Sequence, residues 1–219
     1  METSPYGTTT DGQTARLFTL TNSSGIEVRL CEYGAIVASV KTPDYSGNFA
    51  NITLAKDSLE GWLENPEYLG ATVGRYGNRI SKGKFSIDGT DYELAKNNDP
   101  GGIPCHLHGG EKGFSHVLWN GQPVIRPKAN GVCFTYYSDA GEEGYPGNLT
   151  AKVTYWLTED NELIFEATAK ADAPTPVNLI NHTYWNLSGN PTNTILDHEL
   201  QLNANQFLPT SAGLIPTGE

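Results

Sequence analysis

Apolar side chains recur at alternate positions through Ile26, Val28 and Leu30 and again through Ile36, Ala38 and Val40. That period of two marks strands with one face on a core. Ser23-Ser24-Gly25 and Pro43-Asp44-Tyr45-Ser46-Gly47 punctuate them as turns. The pattern returns at Val132, Phe134 and Tyr136, at Leu149, Ala151, Val153, Tyr155 and Leu157, and, beyond Glu159-Asp160-Asn161, at Leu163, Phe165, Ala167 and Ala169. Leu200 and Leu202 begin it once more. Phe85 and Ile87 lead through Asp88-Gly89 to Tyr92 and Leu94, and an Asp-Gly pair between alternating runs is a strong hairpin signal. Only Ser58 to Asn65 has helical character, with Leu59, Trp62 and Leu63 on one side before Pro66. The expected fold class is therefore all-β, an antiparallel sandwich or barrel in a single domain over residues 1–219.

Composition agrees with many short strands, since 24 glycines and 13 prolines are spread over 219 residues. Fourteen basic against 25 acidic residues give a net charge of -11. Such a chain repels phosphate backbones and anionic membranes, so neither nucleic acid nor membrane is expected as a partner. Cys31, Cys105 and Cys133 are odd in number and widely spaced, which suggests neither a disulfide framework nor a cysteine zinc site. Met1 to Gly12 is polar and lacks an export signal, and no run reaches the length of about 18 apolar residues that spans a membrane. A soluble, cytoplasmic protein is the expectation; the oligomeric state is left open.

Four polar clusters interrupt the strands: Gly74-Arg75-Tyr76-Gly77-Asn78-Arg79-Ile80, His106-Leu107-His108-Gly109-Gly110, Gly141-Glu142-Glu143-Gly144-Tyr145-Pro146-Gly147 and Asn181-His182-Thr183-Tyr184-Trp185-Asn186-Leu187-Ser188-Gly189. His182 titrates near neutral pH and suits proton transfer in both directions. The rings of Tyr184 and Trp185 offer apolar faces, while Asn181, Asn186 and Ser188 offer directional donors and acceptors, a mixture that fits a sugar. His182 is equally readable as a core histidine with both nitrogens satisfied. Arg75 and Arg79 can fork onto neighbouring hydroxyls, or Arg75 can bind loop carbonyls. His106 and His108 share a face if the segment is extended, and the glycines after them admit a substrate or a backbone. Glu142 and Glu143 read as a solvated acidic turn.

The histidine pair resembles in part the metal motif of cupins, which place a glutamate after three or four intervening residues beyond the second histidine. Here Glu111 follows after two, and no second half of that motif is evident. The four clusters taken in order are more specific. Asn78-Arg79-Ile80, Leu107-His108-Gly109-Gly110, Glu143 to Gly147 and Asn181 to Leu187 resemble the motifs of the aldose 1-epimerase (galactose mutarotase) family across nearly the whole chain.

The resemblance implies a galactose-mutarotase-like β-supersandwich and interconversion of the α and β anomers of free aldohexoses such as galactose and glucose, with no metal and no other cofactor. It places the general acid on His182 and sugar-hydroxyl contacts on Asn78, Arg79 and His108, with Arg75 and His106 less firmly assigned. It also implies that the sandwich is incomplete: the family's base glutamate and a sugar-binding aspartate belong to a part beyond Glu219, so the chain corresponds to about two thirds of the family domain and lacks the base. Two other readings remain beside it, a non-catalytic carbohydrate-binding fragment and a cupin-like metalloenzyme.

Overall fold

The turn at Asp88-Gly89 folds as its residues demand. Asp88 and Gly89 both take positive φ, 51° and 79°, the conformation that joins two twisted strands most tightly. In the computed structural model, which describes all 219 residues, this hairpin is a small ribbon among larger sheets. The strands in chain order are β1 (Glu2–Thr8), β2 (Thr14–Thr21), β3 (Glu27–Cys31), β4 (Ile36–Pro43), β5 (Phe49–Asn51), β6 (Thr72–Val73), β7 (Arg79–Ser81), β8 (Lys84–Ile87), β9 (Thr90–Glu93), β10 (Cys105–Leu107), β11 (Asn120–Arg126), β12 (Ala129–Ser138), β13 (Leu149–Thr158), β14 (Leu163–Ala171) and β15 (Ile180–Asn181). One α-helix, α1, spans Leu59–Leu63, inside the stretch expected to be helical.

Strands β1 to β5 form one antiparallel meander and β11 to β14 another. Their facing side chains make the main core, where Phe18, Leu20, Val28 and Leu30 meet Val132, Phe134, Val153 and Tyr155. Phe18 and Phe134 cross edge to face with ring centroids 5.8 Å apart, a favoured aromatic geometry. The other side of the first sheet is covered as well. Leu17, Cys31, Ile36 and Ala38 pack there against Leu59, Trp62, Leu69 and Ala71. Strand β4 is therefore buried at every position from Ile36 to Val40, whereas alternation alone made it half-buried. The sequence shows the reason, since Val37 fills an intervening position and α1 supplies the second cover.

One strand lies where no apolar pattern announces it, and one expected strand is absent. The polar segment Met1 to Gly12 contains β1, an edge strand paired only with β2. Edge strands tolerate polar and exposed side chains because one flank faces solvent. Leu200 and Leu202 do not start a strand; both are exposed, at 84% and 69%. Alternation makes a strand only where a neighbour supplies the ladder, and none lies beside them. No helix is long and apolar enough to cross a membrane.

The fold positions the four polar clusters through two short ladders. Strand β10 pairs β7, with Leu107 opposite Arg79, and β15 pairs β6, with Asn181 opposite Thr72. The chain from β15 onward is stitched down further, as His182 N–H donates to Ala71 O at 2.9 Å and Gly70 N–H donates to His182 O at 3.1 Å.

Candidate functional site

Asn78 follows Gly77 in the left-handed region, with φ of 65°, a conformation asparagine tolerates better than most residues. Its backbone exchanges two bonds with His108: the Asn78 N–H donates to His108 Nδ1 at 2.9 Å, and the His108 N–H donates to Asn78 O at 3.1 Å. Accepting at Nδ1 places the proton of neutral His108 on Nε2. Burial, with His182 and Arg79 nearby, pushes the His108 imidazole down to about 4, so at neutral pH this ring is an uncharged Nε2–H donor. Arg79 donates from Nη1 to Asn78 Oδ1 at 3.2 Å and from Nε to Asn98 Oδ1 at 3.1 Å. The guanidinium is thereby oriented beside Asn78.

His182 lies against this group, its ring centroid 5.1 Å from that of His108 with the planes at 90°. Burial lowers its pKa from the ordinary histidine value, and a backbone hydrogen bond partly opposes that. The core-histidine alternative does not hold, because the ring is only half-buried. His182, His108, Asn78 and Arg79 thus converge on one face although 30 residues separate Asn78 from His108.

Other expected contributors sit elsewhere. Arg75 is 1% exposed and donates to Pro146 O, Gly147 O, Ser138 O and Asp139 O, so it clamps the 138–147 loop. His106 does not share the face of His108. It holds Ala95 O and the Tyr145 hydroxyl at 2.8 and 2.7 Å, while His108, with φ of 53°, turns away from the strand. With the two imidazoles apart, the geometry behind a cupin-like metal pair is lost, and no group of three or more His, Cys, Asp or Glu side chains is placed to hold a metal.

Asn181 and Asn186 also differ from expectation. Asn181 donates to the Tyr155 hydroxyl and accepts from Thr183 N–H, and Asn186 is buried and bonds the backbone at Asn190 and Asn193. They shape the loop rather than face a ligand. Glu142 accepts from the Tyr136 and Ser138 hydroxyls, and Glu143 accepts from the backbone N–H groups of Glu111 and Lys112. Both carboxylates are structural, where a solvated turn was expected.

The glycines explain why these clusters travel together. A Cβ on Gly109, whose φ is 88°, would lie 1.7 Å from Gly74 O, and one on Gly110 would lie 2.0 Å from a Glu143 carboxylate oxygen. The first place excludes any larger residue, the second admits one only if Glu143 gives up its position, and three of the four clusters interlock here.

Sequence reasoning missed Tyr68. Its ring centroid stands 4.7 Å from His108, 5.8 Å from His182 and 5.9 Å from His116, and its backbone is left-handed with φ of 59°. No periodicity marks it, since it lies in the connection between α1 and β6 just after Pro66.

Comparison with known proteins gives the family. The family model described as Aldose 1-epimerase matches residues 16–219. The galactose mutarotase of Bos taurus is 44% identical over 197 residues, covering 90% of this chain and 55% of that protein. The chain belongs to the aldose 1-epimerase family. The aldose 1-epimerase of Escherichia coli is 37% identical over 206 residues, covering 94% of this chain and 57% of its own. Among solved structures, an aldose epimerase homologue from C. elegans superposes with a TM-score of 0.85 at 31% identity, over 94% of this chain and 60% of that one. The fold is accordingly the galactose-mutarotase-like one expected, and the chain spans somewhat more than half the length of these epimerase relatives.

Proposed function

We propose that the chain carries the acid half of an aldose 1-epimerase site that interconverts the α and β anomers of free aldohexoses, as a single unit over residues 1–219. The observation that carries this reading is the pairing of two imidazoles with different duties. His108 is fixed as a neutral Nε2–H donor, suited to a sugar hydroxyl, while His182, half-buried beside it, is the imidazole left to move a proton. Asn78 and Arg79 complete the polar rim for neighbouring hydroxyls.

In this mechanism His182 protonates the ring oxygen while a base takes the proton of the anomeric hydroxyl. The C1–O5 bond breaks to give the open aldehyde, rotation about C1–C2 turns the other carbonyl face inward, and reclosure returns both protons. A lowered histidine pKa makes the imidazolium a stronger acid toward the weakly basic ring oxygen, and leaves the neutral ring as the form that recovers the proton. The base is assigned to no residue of this chain, in keeping with the family resemblance. Glu142 and Glu143 are engaged by hydroxyls and backbone N–H groups, and no carboxylate shapes the titration of His182.

Polarimetry of freshly dissolved α-galactose tests the acid. In a version of the protein that also supplies the base, His182→Ala is expected to lower the catalysed rate by about 10²- to 10⁴-fold while calorimetric sugar affinity changes little. A His182→Ala protein with undiminished turnover would remove the assignment. A chain that binds galactose and never accelerates the rotation change would leave the binding reading.

A further inference from the structure

Three imidazoles converge on one phenol ring. Tyr68 crosses His108 edge to face at 65° and His116 at 80°, and lies tilted by 44° to His182. No other aromatic side chain contacts all three. The loop that presents it is fixed at both ends: Asn65, 2% exposed, donates from Nδ2 to Leu69 O and accepts the Leu69 N–H at Oδ1, each at 3.0 Å. Tyr68 itself donates its N–H to Asn65 O and accepts the Ala71 N–H. The bulky ring is thereby held with φ of 59°, a backbone region that favours glycine or asparagine.

We infer that Tyr68 is a positioning residue for His182: its ring sets the plane of the imidazole and keeps water from one side of it. The inference rests on the proposed acid role of His182 for its catalytic meaning, but its structural content stands without any sugar. Against His182 are packed the rings of Tyr68, His108 and Tyr184. Tyr184 is 41% exposed and shields little, and His108 bears on His182 as a neutral neighbour. Tyr68 is half-buried, and burial is the first cause of the depressed titration of His182. The charged groups around the cluster are Arg79 beside His108, Glu111 acting on Tyr68 and Lys112 acting on His116. None of them is a cause of the His182 shift. The Tyr68 hydroxyl contributes no hydrogen bond to its own titration environment, so the ring and not the hydroxyl performs the role.

The test is a pH titration of the imidazole Cε1–H resonances of the 219-residue chain by NMR, in wild type, Tyr68→Phe and Tyr68→Ala. The expected result is an unchanged His182 midpoint in Tyr68→Phe and a rise of about half a pH unit or more in Tyr68→Ala, as one wall of the desolvating shell is lost. A midpoint unmoved in a folded Tyr68→Ala overturns the inference, and so does a Tyr68→Phe midpoint that moves as far as the alanine one. Should Tyr68→Ala not fold, nuclear Overhauser contacts in the wild type decide. Cross-peaks from the Tyr68 ring to the His182 ring support the role, and their absence overturns it. Because no readout requires turnover, failure here is separable from failure of the epimerase reading: His182→Ala can still abolish polarimetric activity while the titration shows Tyr68 to be idle.

Discussion

At the scale of single residues, the same side-chain type does different work according to what its neighbours leave unsatisfied. Arg75 and Arg79 lie four apart in one motif. Arg75 spends its donors on four backbone carbonyls in a buried cage, while Arg79 stands partly exposed beside Asn78. His106 and His108 divide likewise, the first bridging Ala95 and Tyr145 and the second facing His182. Sequence motifs located all four, but which of each pair is structural depends on burial that spacing does not encode. Arg75→Lys is expected to destabilise the fold by about 2 kcal/mol or more, because one ammonium cannot reach carbonyls placed for a planar fork and leaves buried acceptors unpaired. Urea unfolding of both proteins measures it; an unchanged midpoint would show that the cage is dispensable.

At the scale of elements, long strands were legible and short connections were not. Strands β12, β13 and β14 and the β8–β9 hairpin coincide with their alternating runs because each has a neighbour and a core to face. Strand β1 escaped notice because an edge strand needs no apolar pattern, and Leu200 and Leu202 misled because pattern without a partner does not make a ladder. The α1–β6 connection that carries Tyr68 has no period at all. It is specified by one amide, since Asn65 imitates a backbone pair with Leu69. Tyr68 in the left-handed region costs about 1–2 kcal/mol, which that amide pair and the aromatic contacts must outweigh. Asn65→Ala is therefore expected to cost about 1–3 kcal/mol of stability and to free the loop. Denaturant titration reads the first effect and amide hydrogen exchange at Leu69 the second. Protection at Leu69 equal to wild type would mean that the loop holds without the amide.

At the scale of the whole molecule, the histidines give the fold a common sensitivity to acid. His106, His108, His116 and His182 all lie below the ordinary value of 6.5, in each case first through burial, and His108 reaches about 4. Groups depressed in this way bind fewer protons folded than unfolded, so stability is fully present above about 6.5 and falls as the pH drops toward the folded values. Acidic groups do not produce the same loss in that window. Asp11, Asp44, Glu93, Glu166 and Asp172 are also depressed, by hydrogen bonds to neighbouring side chains or backbone, but they are exposed and their contribution disappears only below their ordinary values near 4. Protonation also reduces the self-repulsion of a chain carrying -11 charges, which works the other way, yet exposed charges are screened by salt over about 8–10 Å whereas buried imidazoles are not. Desolvation should therefore win, and the melting temperature should decline from pH 7 to pH 5 at fixed ionic strength. His108→Asn isolates the largest contribution, because an asparagine oxygen can accept the Asn78 N–H as Nδ1 does and cannot take up a proton. Its melting temperature is expected to fall less steeply over the same interval. A wild-type melting temperature that rises toward pH 5, or a His108→Asn slope equal to wild type, would show that surface charge, not the histidine cluster, governs the acid response.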